Sequence, residues 1–168
     1  MSGERYFLEA WMPGAREDLL IDAADSLSPG SHAHITFGRP FYIPDGKEER
    51  IKEMIVNFCI GRGPINFELE GQDSFGETIN YIPIKGKEIE EFNRGLEELL
   101  AGEVQFVEKI SDKKILHLTL TTRMPKPFPK TEATVKRLTC IRDKKIWFSF
   151  DFETQEVLNR EQSLGMLK

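Results

Sequence analysis

Two short segments of this chain share one form: His34-Ile35-Thr36-Phe37 and His117-Leu118-Thr119-Leu120 each read histidine, apolar, threonine, apolar. Such alternation marks a half-buried β-strand, because successive side chains leave the backbone on opposite faces. Each segment therefore offers an apolar face to a core and a polar face bearing an imidazole beside a hydroxyl. The two lie about half the chain apart, one in each half. Any fold must bury both apolar faces, and a duplicated layout with one such strand per half does so.

Only two stretches carry the helical period. Ile51, Met54, Ile55, Phe58 and Cys59 make an amphipathic stripe over 47–60, closed by Gly61. Ile89, Phe92, Leu96, Leu99 and Leu100 make a second over 87–101, with Gly102 placed as a C-cap. Strand character marks "RYFLEAWM", the alternating Ile65, Phe67 and Leu69, and "TINYIPIKG". "VQFVEKI" and "ILHLTLTT" read as a hairpin about "SDKK". "TVKRLTCI" and the strand bearing Ile146, Phe148, Phe150 and Phe152 on one face form another, about "RDKK", with Trp147 facing away from that row. "EGQDSFGE" reads as a turn or loop, "MPKPFPK" with its three prolines as loop or extended edge, and the tail after Thr154 as a short helix. Roughly eight strands and two helices joined mostly by short turns predict an α+β fold rather than a Rossmann-type one.

A chain of 168 residues, 39% hydrophobic and 30% charged, fits a single soluble domain spanning 1–168. No apolar run is long enough for a transmembrane helix, and "MSGERYFLEA" lacks a secretory pattern. Cys59 and Cys140 sit in apolar periodic segments and read as buried thiols of a cytoplasmic protein. The net charge of −5 argues against coating long nucleic acid. Arg123, Lys126, Lys130, Lys136, Arg137, Arg142, Lys144 and Lys145 nevertheless form a basic segment. It could meet phosphates or form a solvated edge.

If the two alternating strands line one cleft, they bring two imidazoles and two hydroxyls around one point. One histidine can take a proton from attacking water while the other gives one to the leaving oxygen, near neutral pH and without metal. The threonine hydroxyls can donate to non-bridging phosphoryl oxygens, where negative charge accumulates. A phosphodiester, above all a cyclic one, suits this set because it needs acid and base on opposite sides of phosphorus. His32 shares the alternation of His34 and Thr36. That leaves two rivals: a histidine-triad hydrolase, in which Thr36 stands at the third position, and a metal site of His32, His34 and His117. Arg39 and Arg123, past their respective histidines, suit a phosphate or a loop anchor. Tyr42 and Phe75 suit a stacked base or packing.

"HITF" and "HLTL" together resemble the paired His-x-Thr/Ser-x signatures of the two-histidine phosphoesterase superfamily, which includes 2′-5′ RNA ligase-like proteins and 2′,3′-cyclic nucleotide phosphodiesterases. The resemblance spans nearly the whole chain in size and motif spacing. It implies a bilobal, LigT-like α+β fold, two antiparallel sheets facing across a central cleft with helices outside. It also implies a cytoplasmic enzyme of RNA processing, a monomer that needs no metal or cofactor and has no membrane partner. By motif position His34 and His117 would be the catalytic pair, and Thr36 and Thr119 the phosphate-binding hydroxyls. The substrate would be a nucleotide or RNA end carrying a 2′,3′-cyclic phosphate or a 2′-5′ linkage. A non-catalytic module that holds an RNA-end phosphate is the alternative. "GQDSFGETINY" lacks a basic residue often found in the family's corresponding loop, and the acidic segment 15–25 has no counterpart.

Overall fold

The computed structural model describes residues 3–11, 34–76, 79–107, 116–120, 125–143 and 145–165. Among them are eleven strands and three helices, an α+β fold built mostly of antiparallel sheet. In chain order these are β1 (Tyr6–Trp11), β2 (His34–Tyr42), α1 (Glu48–Cys59), β3 (Ile65–Gly71), β4 (Asp73–Phe75), β5 (Ile79–Lys85) and α2 (Lys87–Leu100). They are followed by β6 (Gln105–Phe106), β7 (His117–Leu120), β8 (Phe128–Val135), β9 (Arg137–Arg142), β10 (Lys145–Asp151), β11 (Glu156–Leu158) and α3 (Arg160–Gly165).

The ladders run in one hydrogen-bonded path, β11-β10-β9-β1-β2-β7-β5-β3-β8, with β4 beside β5 and β6 beside β2. The strands of the two sequence halves alternate along this path, meeting where β1 pairs β9, β2 pairs β7, β5 pairs β7 and β3 pairs β8. The path cannot be flat. β8 ends it and β9 is third from the other end, yet only Lys136 separates them in the chain. A residue spans at most about 3.6 Å, so the sheet must turn back until these strands nearly touch.

One sheet face is apolar and carries the core. Ile35 and Phe37 of β2, Leu8 and Ala10 of β1, Ile82 of β5, Leu118 of β7 and Phe148 and Phe150 of β10 are all buried on it. α1 and α2 close the same core with Ile51, Ile55, Cys59, Ile89, Phe92, Leu96 and Leu100. Phe92 sits at the junction, its ring 5.2 Å from that of Phe37, 5.4 Å from Phe58 and 5.8 Å from Phe152. Burial pushes the Cys59 thiol up to about 12, only partly opposed by Arg62, and raises that of Cys140 as well, with the Glu9 carboxylate adding to it. Both cysteines are free and buried, as their apolar settings predict.

The opposite face is polar. On its β9–β10 part, α3 covers a buried network. Thr139 Oγ1 lies 3.1 Å from Ser149 Oγ, Ser163 Oγ donates to Ser149 Oγ at 2.8 Å, and Arg137 donates to the Ser163 carbonyl at 3.2 Å. The Arg137 guanidinium also lies 3.5 Å from the Asp151 carboxylate.

Both amphipathic stripes form the helices they predict, and Gly102 follows α2 with φ +82, the left-handed conformation of a C-cap glycine. Three expectations need correction. The segment read as a turn or loop after Gly71 holds the three-residue strand β4. Among the described residues β6 and β7 pair with β2 rather than with each other, following one another opposite Phe41 and Ile35 respectively, and the turn read at "SDKK" lies outside the described residues. Trp147 does not face away from the core, because an irregularity in the β9–β10 ladder turns it inward, 5.5 Å from the Tyr6 ring. The acidic segment 15–25 lies outside the described residues.

Candidate functional site

β2 and β7 are antiparallel neighbours with Ile35 opposite Leu118. Numbers run in opposite directions along such a pair, so His34 stands opposite Thr119 and Thr36 opposite His117. Ile35 and Leu118 are both fully buried, whereas His34, Thr36 and His117 are half-exposed. The histidines and Thr36 therefore share the polar face, with the Thr119 position in the same row as His34.

The neighbouring strands extend two rows across this face. Trp11 of β1 is opposite His34, Tyr81 of β5 is opposite Thr119, and Asp73 of β4 is opposite Tyr81. In the second row, Glu9 of β1 is opposite Thr36 and Pro83 of β5 is opposite His117, with Thr139 of β9 beyond Glu9. His34 and His117 are diagonal neighbours, about 7–8 Å apart at the backbone, as are Thr36 and Thr119. The arrangement has an approximate two-fold axis between Ile35 and Leu118. The two histidines occupy one diagonal of this row pair and the two threonine positions the other.

The surroundings are not symmetric. The half-exposed Glu9 carboxylate flanks the first motif. The second is flanked by Tyr81, which is 3% exposed and whose ring centroid lies 5.0 Å from the His117 imidazole at an interplanar angle of 54°. Burial raises the Tyr81 pKa, as do the charge of Asp73 and a hydrogen bond from the phenol to its carboxylate.

Other candidates lie further off. Gly38 breaks β2 just past Thr36, at φ +58, and donates its backbone N–H to Asn93 Oδ1 of α2 at 2.7 Å. Beyond it the Arg39 guanidinium stacks 4.6 Å from the Phe106 ring centroid, in keeping with an anchoring role. Arg39 and Tyr42 stand at most about 17 and 26 Å from His34 along an extended strand. The Phe75 position pairs with Ile79, two residues along β4 from Asp73. His32 and Arg123 lie outside the described residues.

Among the described residues, four cations of the basic segment lie in ion pairs. Lys130 is on β8, paired with Glu68, while Arg137 and Arg142 are on β9, paired with Asp151 and Glu4. Lys136 pairs with Glu153. No cluster of metal-ligating side chains occurs among the described residues. Nor, among them, is any helix long and apolar enough to cross a membrane.

Sequence reasoning does not single out Glu9, Tyr81 or Asp73. Alternation places Glu9 and Tyr81 on strands, but only the register shows that they flank the two motifs.

No family model matches the chain, and no curated protein matches it. A solved structure does: the crystal structure of TT0787 of Thermus thermophilus, with a TM-score of 0.61 over 88% of this chain and 97% of that one, at 16% identity. The two proteins share a fold.

Proposed function

We propose that this chain is a metal-independent phosphoesterase of the two-histidine superfamily. In this reading it hydrolyses a 2′,3′-cyclic phosphate, or a 2′-5′ linkage, at a nucleotide or RNA end. One observation carries the reading: the antiparallel register that sets Ile35 opposite Leu118 puts two distant His-x-Thr motifs side by side on one exposed face. A structural role for either histidine would not require the other to be its diagonal neighbour.

The chemistry follows from that placement. A phosphodiester seated between the two diagonals meets one imidazole on the side of the attacking water and the other on the side of the leaving oxygen. The first removes a proton as the new P–O bond forms, and the second donates one as the old bond breaks, so the histidines end with exchanged protonation states. Hydroxyls at Thr36 and Thr119 donate to the non-bridging oxygens, whose charge grows in the transition state. Because the two half-sites offer the same groups, a pH–rate profile does not by itself assign acid and base to one histidine or the other. In the same reading the curved sheet is two lobes meeting at β2 and β7, each giving one motif to the cleft. The fold shared with TT0787 over most of both chains supports a common architecture.

The test is hydrolysis of 2′,3′-cyclic nucleotides in EDTA by wild type and by His34→Ala, His117→Ala and His32→Ala. The expected result is activity in EDTA with a bell-shaped pH profile. Losses should be on the order of a hundredfold or more for His34→Ala and His117→Ala alone. Dependence on metal together with an essential His32 overturns the reading in favour of a metal site. Absence of turnover, with phosphate-end binding lost in the first two variants, makes the chain a binding module.

A further inference from the structure

The two half-sites are equivalent in their motifs but not in what stands beside them. Under the approximate two-fold axis, Glu9 of β1 and Tyr81 of β5 occupy corresponding positions: each faces a threonine across its ladder and lies diagonal to a histidine. One is a half-exposed carboxylate. The other is a buried phenol whose ring lies 5.0 Å from the His117 imidazole. Such a tilted contact restricts the torsion that turns an imidazole about its Cβ–Cγ bond. Tyr81 is itself held at both ends. Its backbone is laddered between Thr119 and Asp73, and its hydroxyl hydrogen-bonds the exposed Asp73 carboxylate.

We propose that Tyr81, fixed by Asp73, is a positioning residue for His117, and that it orients this imidazole alone of the two. The inference rests on the phosphoesterase reading, in which His117 transfers a proton. The row Asp73–Tyr81–Thr119 then serves the second half-site as a brace: the carboxylate fixes the phenol and the ring fixes the imidazole plane. Proton transfer depends steeply on donor–acceptor geometry, so loosening the brace slows the chemical step more than it weakens binding.

Two measurements on the full chain test this. The first is steady-state hydrolysis of a 2′,3′-cyclic nucleotide by Tyr81→Phe, Tyr81→Leu and Asp73→Asn. Tyr81→Leu removes the ring and is expected to lower kcat on the order of ten- to a hundredfold, with KM changing by about twofold or less. Tyr81→Phe keeps the ring and should recover most of that loss, and Asp73→Asn should resemble Tyr81→Phe. The second measurement is the histidine ring-proton NMR spectrum, assigned with the single histidine variants. The ring-current shift of the His117 signal should collapse in Tyr81→Leu and persist in Tyr81→Phe, while the His34 signal stays in place. Unchanged kcat, or an unmoved His117 signal, in a folded Tyr81→Leu overturns the proposal. If Tyr81→Leu fails to fold, Tyr81→Met, which fills the site without a ring, takes its place, and unchanged kcat or an unmoved His117 signal in it does so. An inactive wild type instead overturns the phosphoesterase reading, and that is seen before any variant is compared.

Discussion

Ile35 and Leu118 face each other across β2 and β7, both fully buried, and this apolar pair sets the register of the candidate site above it. A one-residue slip of β7 against β2 would send His117 into the core and its apolar neighbours into solvent. The pair thus holds the two motifs side by side. Truncating either residue to alanine is expected to cost about 2–5 kcal/mol of stability. As cross-strand partners they should also couple by about 0.5–3 kcal/mol in a double-mutant cycle followed by denaturant unfolding. Additive losses would mean that the two side chains do not meet.

The elements are legible in the sequence, and their partners are not. Both helices are visible because Ile51, Ile55 and Cys59, and Ile89, Phe92 and Leu96, repeat at helical spacing on one buried stripe. The His-x-Thr strands are visible because alternation fixes two faces locally. Register is not local. That Thr36 meets His117, that β6 continues along β2 rather than pairing β7, and that Tyr81 flanks His117 all depend on contacts between segments distant in sequence. β4 escapes notice for the same reason: three residues too short and polar to show a period become a strand by docking on β5. The inward turn of Trp147 is hidden because an irregularity shifts the alternation partway along β10, and no residue type announces it.

Gly38 ends the alternation of the first motif with a left-handed residue, its N–H held 2.7 Å from Asn93 Oδ1 of α2. A β-carbon there would meet Glu97 Cγ at 3.4 Å, so backbone strain rather than crowding dominates. Gly38→Ala should therefore destabilise the fold by about 1–2 kcal/mol. Asn93→Ala, which loses the tether but not the glycine, should cost about 1 kcal/mol. Both are readable as shifts in the urea midpoint. An unchanged midpoint in Gly38→Ala would contradict the left-handed conformation.

Asp151 ties the β9–β10 hairpin to the turn that follows it. Burial opposes its ionisation, but backbone N–H bonds from Thr154 and Glu153 and the Arg137 charge outweigh this and hold its pKa below the ordinary 3.8. A carboxyl with a lowered folded-state pKa stabilises the fold fully above its unfolded value, and the contribution fades as pH falls through the folded one. Asp151→Asn should thus cost about 2–4 kcal/mol near neutral pH, where Arg137 loses its buried counter-charge. The gap from wild type should narrow as pH falls below the ordinary carboxylate value of 3.8. Thermal melts across that range check it, and a gap independent of pH would exclude the ionised Asp151 as the cause.

Thr36 stands opposite His117 and the Thr119 position opposite His34, so exchanging the two half-sites exchanges the two threonines. If both hydroxyls donate to non-bridging oxygens of one phosphoryl group, neither belongs to the acid or to the base alone. Thr36→Val and Thr119→Val preserve side-chain shape and remove only the donor. Each is expected to lower kcat/KM for a cyclic nucleotide by about a hundredfold, the usual cost of one donor to a developing oxyanion. Neither should alter the pH at which the two limbs of the rate profile fall, because the histidines that titrate remain. Histidine variants, by contrast, should abolish a limb. A large loss from one threonine and none from the other would place the phosphoryl group off the two-fold axis, within a single half-site. A shift of a limb in either valine variant would mean that the hydroxyl holds a histidine rather than the substrate.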